Sequence, residues 1–338
     1  MTPGRVLLVA PGSFPWDLAS YLRDVFTSLG WSVSVFDYHR DAKDEPASEV
    51  LLRVAGEEPP DLVVGLKLEA IEPAALAELR RRGARVVLWY VDCFTPEIPS
   101  WIVPRIANVD LFVTTAKGMV DRYRALGSTP VEWIVEGVHL PSFPELDVAP
   151  EQHRLYASPV AFVGNVFQPP VADEAIASRR LRLLTQVGER FGLKVWGPQA
   201  SAIDQLPRPL PFRVMRWPAY DEECVKVCRS ADVVLGMNAV DSVELYFSNR
   251  TFLTLASRGF HLTSWVPGLD SMFENHRHLV WYRSDAECLD WIAHYLDRPE
   301  ERTRIAAEGA RLVRSRYGME RQVEKLLDAV ASLPARGR

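Results

Sequence analysis

The chain has 338 residues, 48% apolar and 25% charged, with a net charge of −5. That length exceeds one ordinary hydrophobic core and predicts two domains. The acidic balance excludes a sequence-independent pull toward nucleic acid, and no apolar run approaches the roughly 18 residues of a membrane span.

The opening stretch MTPGRVLLVAPGSF has an apolar core too short for a secretory signal and reads as a first β-strand. RVLLVAP (5–11) is that strand, DLASYLRDVFTSLG (17–30) an amphipathic helix, and WSVSVFDY (31–38) the next strand. A helix from ASEVLLRVAG precedes the strand DLVVGLK (61–67). EPAALAELRRRG is a helix and ARVVLWYVD (84–92) a strand. VDLFVTT (109–115), a helix over 117–126 and VEWIVEG (131–137) complete this half. Short continuous apolar runs separated by helices argue a parallel sheet covered on both faces, a doubly wound α/β domain.

The stretch HLPSFPELDVAPEQHRLYASP (139–159) holds four prolines and little periodicity, as expected of a linker. A second α/β series follows: VAFVGN (160–165), a helix over about 178–191, LKVWGP (193–198), FRVMRW (212–217), a helix over 220–229, DVVLGMN (232–238), FHLTS (260–264) and HLVWYR (278–283). Two helices close the chain, 284–297 and about 299–332, the latter with a break near Tyr317–Gly318. The expected division is a first Rossmann-like domain over 1–145, a linker over 146–158, a second domain over 159–318, and a helix over 319–338 free to pack back on the first domain. A cleft between the carboxyl ends of the two sheets is expected, with ligands at helix N-termini.

The residues that bear on chemistry lie at strand ends. Gly164 and Asn165 close FVGN, where glycine permits close approach to the backbone or serves only the turn. Arg179 and Arg180 open the next helix, and either one faces the cleft or both are solvated. Pro198 in WGP and Trp217 in RWPAY stand on the same rim, suited to clasping a nucleobase. The stretch SNRTFLTLASRGFHLTS (248–264) reads as an N-cap at Ser248, a short helix stopped at Gly259, and a strand. It sets Arg250 in a helix's first turn, where the macrodipole is already positive. Ser248, Asn249 and Arg250 therefore either surround an anion, a diphosphate being the best fit, or form a cap with the arginine paired to Glu244 or Asp241. In the first half, Gly12 and Ser13 follow the first strand, and Asp17 is placed to cap its helix. Asp92 ends a strand, as a base or hydroxyl binder or as a helix cap. His139 lies at the linker.

No G-x-S-x-G or H-E-x-x-H occurs. Cys93, Cys224, Cys228 and Cys288 have no partner pair that would complete a zinc set, and read as reduced thiols of a cytoplasmic, bacterial protein.

From RTF at 250–252 onward the chain resembles the carboxyl-terminal region of CgeB-like glycosyltransferases (the spore maturation protein type). The matching pieces are GLDSMFE, the R-S-x-x-E helix start, the PEER-x-x-IA-x-x-G run and the terminal Y-x-x-x-x-R helix. FVGN, GVHLPSF, PPDLVV and VVLWYVD fit the same family. The resemblance implies the GT-B architecture, two Rossmann-like doubly wound parallel-sheet domains with an interdomain cleft. It implies transfer of a sugar, a hexosyl group, from a nucleotide-diphosphate donor such as a UDP-sugar, with no metal or other cofactor. The donor would touch Gly164, Asn165, Arg180, Pro198, Trp217, Ser248, Asn249, Arg250 and Thr251. Gly12 and Ser13 would lie on the acceptor side, and Asp92 and His139 would be catalytic. The acceptor, a glycan, protein or small molecule, and the oligomeric state stay open.

One position departs from the pattern. The family's RTFE glutamate, which holds the ribose hydroxyls, is Leu253 here. Either Glu244 of the preceding loop or backbone groups then hold the ribose, or the donor is altered, or activity is lost; the last favours, as the alternative, a GT-B-shaped nucleotide-binding or scaffold protein without catalysis. An epimerase or phosphorylase of the same architecture is a third reading, set back by the scarcity of lysine.

Overall fold

A computed structural model describes residues 2–56, 59–166, 174–197 and 209–334. The chain divides into two compact units. Unit 1 comprises Met1–His139, Val243–Tyr246 and Met319–Arg338; unit 2 comprises Leu140–Ser242 and Phe247–Gly318.

Unit 1 is built on β1 (Arg5–Ala10), β2 (Ser32–Asp37), β3 (Leu62–Leu66), β4 (Arg85–Tyr90), β5 (Leu111–Thr114) and β6 (Val131–Trp133). All pair in parallel, in the order β2-β1-β3-β4-β5-β6. The crossovers carry α1 (Leu18–Ser28), α2 (Tyr38–Asp41), α3 (Ala47–Ala55), α4 (Pro73–Arg81), α5 (Val103–Ala107) and α6 (Val120–Arg124). The period-2 alternation of a strand sends Leu7, Val9, Val63, Val86 and Leu88 to one face, packed with Leu51, Leu76 and Leu79 of the helices. Val6, Leu8, Val64, Val87 and Trp89 face the other way, onto Leu22 and Phe26. Because both faces are covered, the strands read as unbroken apolar runs.

Unit 2 repeats the plan with β7 (Ser158–Val163), β8 (Leu193–Trp196), β9 (Arg213–Met215), β10 (Ala231–Gly236), β11 (His261–Ser264) and β12 (Val280–Tyr282). These form a six-stranded parallel sheet in the order β12-β11-β10-β7-β8-β9. Its described helices are α7 (Pro150–Tyr156), α8 (Glu174–Phe191), α9 (Asp221–Ser230), α10 (Arg250–Ala256), α11 (Asp285–Leu296) and α12 (Pro299–Arg316). A final helix, α13 (Met319–Ala331), belongs to unit 1. Its Met319, Val323, Leu326, Leu327 and Val330 are buried in the second of that unit's cores. Each such side chain contributes up to about 1.5–3 kcal/mol by burial. No helix among the described residues is long and apolar enough to cross a membrane.

Three expectations change. Residues 150–156, expected within a linker, form α7, which starts at Pro150 because a helix's first turn has no use for that N–H. The chain returns to unit 1 for four residues, 243–246, where Val243 and Tyr246 pack on its core. Gly259 does not supply the left-handed stop after α10. Arg258 does, at φ 57°. Gly259 is instead needed for packing, since a Cβ there would meet Cys228 Cβ at 3.0 Å and Thr254 Cγ2 at 2.9 Å.

Candidate functional site

In unit 2 the crossovers from β7 lead toward β8 and β9, whereas those from β10 lead toward β11 and β12. The two loops therefore part at the carboxyl ends of β7 and β10, and such switch points leave a crevice in open α/β sheets. A pocket of about 400 Å³, counted with its open mouth, occupies this place. Gly164 and Asn165 line it from the end of β7, and Gly236 and Met237 from the end of β10. Arg180 reaches it from α8, and Ser248, Arg250, Thr251 and Thr254 from α10 and the residues before it. Its floor includes His261 and Thr263 of β11.

The backbone at the end of β7 is close-packed. The Gly164 N–H donates to the Trp196 carbonyl at 2.7 Å. A Cβ on Gly164 would lie 3.3 Å from Arg250 Nε, so the guanidinium of Arg250 lies against this glycine. Arg180 Nη1 donates to the Asn165 carbonyl at 3.1 Å. The Asn165 Oδ1 is buried with no hydrogen-bond partner among the described residues. An acceptor in that state costs about 1–3 kcal/mol until a donor reaches it. No carboxylate is found among the described lining residues, so two guanidinium groups, hydroxyls and a carboxamide set the character of the pocket. That set suits an anion with several acceptor oxygens.

Ser248 is fixed from behind. Its N–H donates to Asn238 Oδ1 at 2.9 Å. Asn238, itself buried, donates from its backbone to Ser264 Oγ and from Nδ2 to the Ser264 carbonyl. Ser248 Oγ in turn accepts from Arg250 Nη1 at 3.3 Å. This chain from β11 to Arg250 is not legible in the sequence, where Asn238 reads only as the last residue of the strand DVVLGMN.

His261 was also missed, as one letter in a strand. It is buried, with Nδ1 3.2 Å from the Val234 carbonyl and Nε2 3.2 Å from Thr251 Oγ1. A carbonyl only accepts, so Nδ1 carries the proton and Nε2 accepts from the threonine hydroxyl. Desolvation is the main cause that holds the His261 pKa down at about 4. In the unfolded chain an imidazole titrates near 6.5. Between those values the unfolded state binds a proton that the folded state refuses, so stability is full above about pH 6.5 and falls as pH drops toward 4. The loss across that window is about 3 kcal/mol. Urea unfolding at pH 7.5 and pH 5 should show about 2 kcal/mol of it, and His261→Gln should flatten the difference; an equal slope in both proteins would count against a neutral buried imidazole.

The pocket thus brings together Gly164, Asn165, Arg180, Ser248, Arg250 and Thr251. Asn249 directly precedes α10 with helical angles, φ −55° and ψ −21°, and makes no side-chain cap; Ser248 keeps the expected cap contact, its Oγ accepting from the Arg250 N–H at 3.4 Å. Arg250 does not pair with either carboxylate considered for it: Asp241 binds Arg179 at 2.5 Å and Glu244 binds Lys117 at 2.7 Å. Trp217 lies half-buried beyond β9, at the sheet edge, and does not line the pocket. Pro198 lies outside the described residues.

The remaining candidates belong to unit 1. Ser13 Oγ donates to Asp37 Oδ2 at 3.0 Å and accepts from Arg40 Nη1 at 2.7 Å. A Cβ on Gly12 would meet Asp17 Oδ2 at 2.8 Å. Asp17 occupies the cap position of α1 without capping it and accepts instead from the Phe14 N–H. His139 is buried and stacked on Tyr21, ring centroids 4.9 Å apart. Asp92 caps no helix; its Oδ2 lies 2.6 Å from Lys67 Nζ.

Residues 179–328 match the model of a family described as glycosyl transferase-like. Among solved structures, HepE of Anabaena in complex with UDP-glucose is 13% identical with a TM-score of 0.68, covering 98% of this chain and 100% of that one. Sucrose-phosphate synthase from Thermosynechococcus elongatus is 13% identical with a TM-score of 0.69, covering 97% and 99%. The T4 phage BGT in complex with its UDP-glucose substrate is 11% identical with a TM-score of 0.60, covering 97% and 100%. No curated protein matches by sequence. These likenesses, with the two six-stranded parallel sheets, show the GT-B fold.

Proposed function

We propose that this protein transfers a sugar from a nucleotide-diphosphate sugar to an acceptor hydroxyl, and that the pocket beyond β7 and β10 holds the diphosphate. The observation that carries this reading is the convergence of Arg180 and Arg250 on one pocket at the switch point, with no carboxylate among its described lining residues. Departure of a nucleoside diphosphate leaves negative charge on its terminal oxygens, and guanidinium groups already in place stabilise it as it forms. They would do so without a metal. The glycosyl transferase-like match over 179–328 supports the same reading, and the motifs from 250 to 321 favour its CgeB-like branch. The UDP-glucose complexes of HepE and BGT make UDP-glucose the first donor to test, and a hexosyl group the first cargo.

In the reaction proposed, Asp92 takes the proton of the acceptor hydroxyl. The hydroxyl oxygen bonds to the anomeric carbon, and the bond to the diphosphate oxygen breaks with its electron pair leaving on the nucleotide. That course inverts the anomeric centre. Gly12, Ser13 and His139 are assigned to the acceptor side, with a glycan, protein or small molecule as acceptor. The setting proposed is the bacterial cytoplasm. Leu253 cannot accept from ribose hydroxyls, so backbone groups near the pocket are assigned that contact.

Calorimetric titration with UDP, GDP and TDP, beside a UDP-glucose hydrolysis assay, tests the reading. One nucleotide should bind with a dissociation constant below about a millimolar, and its sugar should be released. If none binds, the proposal is lost. Binding without turnover of any donor would favour the second reading, a non-catalytic nucleotide-binding protein, which Leu253 motivates.

A further inference from the structure

This inference rests on the assignment of Asp92 as the base. It starts from the backbone just beyond β3. Lys67 and Leu68 both adopt left-handed conformations, φ 64° and 60°, which side-chain-bearing residues seldom do in succession. Such a conformation persists only where its surroundings over-determine it, and it clusters at functional sites.

The surroundings here do so from two sides. The Leu68 side chain, fully buried, folds back over Gly65, where a Cβ would meet it at 2.5 Å. Below the turn, the buried Arg105 donates to the Leu68 carbonyl and the Glu69 carbonyl, each at 2.9 Å, and to the Trp101 carbonyl at 2.6 Å. Its guanidinium also lies 5.2 Å from the centre of the Trp101 ring. A guanidinium spent on three carbonyls holds the turn and leaves Lys67 in a fixed place. From there its Nζ meets Asp92, which follows the adjacent strand β4.

The groups facing the pair are Glu69 and Glu136, the phenols of Tyr90 and Tyr246, and the Cys93 thiol. Burial pushes both phenols up, and the thiol to about 11, so all three stay neutral near pH 7. Burial works against the charge on Lys67, but Asp92, with Glu69 and Glu136, more than offsets it and raises its pKa. Lys67 is thus the cation among the groups that face Asp92, set against two further carboxylates.

We infer that Lys67 is a positioning residue for Asp92: the ammonium engages one carboxylate oxygen and leaves the second oxygen for the acceptor hydroxyl.

The test compares wild type with Lys67→Met and Lys67→Arg by UDP-glucose hydrolysis and UDP calorimetry. Lys67→Met should lower kcat by about 10-fold, less than the roughly 100-fold at the low end for losing a general base outright. KM for UDP-glucose and UDP affinity should be unchanged, and Lys67→Arg, which can engage the same carboxylate oxygen, should restore kcat. An unchanged kcat in Lys67→Met, or a Lys67→Arg as slow as Lys67→Met, overturns the inference. A wild type that binds UDP but hydrolyses no donor overturns instead the assignment of Asp92 as a base, and is told apart because it shows in the wild type before any variant is compared.

Discussion

Replacing Arg250 with alanine is expected to weaken UDP binding by about 10- to 100-fold. A hydrogen bond to a charged group contributes about 1.5–3 kcal/mol, and each 1.4 kcal/mol is tenfold. Arg250 already lies against Gly164 and shares Ser248 Oγ, so its side chain is in place before any ligand arrives. Its loss should act on the phosphates and not on the base. Uridine, without phosphate, should bind both proteins alike, whereas UDP should separate them. Removing Arg180 as well should deepen the defect and reduce the salt dependence of UDP binding, because fewer fixed charges face the phosphates. Calorimetry at two salt concentrations reads both effects. Equal UDP affinity in Arg250→Ala and wild type would remove this arginine from the donor site.

The second large effect is expected at Gly309, in the middle of α12. In an exposed helix, Gly→Ala stabilises by about 1 kcal/mol. Here a Cβ would lie 2.2 Å from the His278 carbonyl oxygen and 2.8 Å from Leu255 Cδ2. The leucine can turn aside; the carbonyl is backbone and cannot move without its loop. Overpacking costs about 1–3 kcal/mol, occasionally more, and this contact is well inside van der Waals range. Gly309→Ala should therefore lose about 2 kcal/mol net, seen as a lower urea midpoint for the transition that reports unit 2. A midpoint at or above wild type would show that α12 slides freely over the loop that carries His278.

The GT-B fold could be foreseen because its evidence is local. Apolar runs such as RVLLVA and LVVGL are buried on both faces, and parallel strands need nothing else in sequence to be seen. The break after Arg316 announced itself through Gly318. The pocket was half legible. Gly164 and Arg250 stand at strand and helix ends, where chemistry gathers. Asn238 and His261 do not announce themselves, because their meaning lies in partners found across the sheet, Ser264 and Thr251. The excursion at 243–246 is too short for any periodicity, and only the fold shows why Gly118 must be small against the Glu244 backbone, 2.8 Å from where its Cβ would be. The left-handed pair at Lys67 and Leu68 carries no glycine or asparagine to mark it, since buried contacts impose the conformation. Pro150 did carry a signal, a proline opening EQHRLY, but the prolines around it spoke for a linker.

The discontinuity of unit 1 bears on how the protein comes off the ribosome. Its six strands are translated first, yet one of its cores lacks Met319, Val323, Leu326, Leu327 and Val330 until the last helix emerges. All of unit 2 lies earlier in the message than that helix. The half of the molecule that is made first is therefore the half that is finished last. Until then it shows nascent-chain quality control the bare apolar face of α1 that the last helix covers, of the kind that chaperones hold.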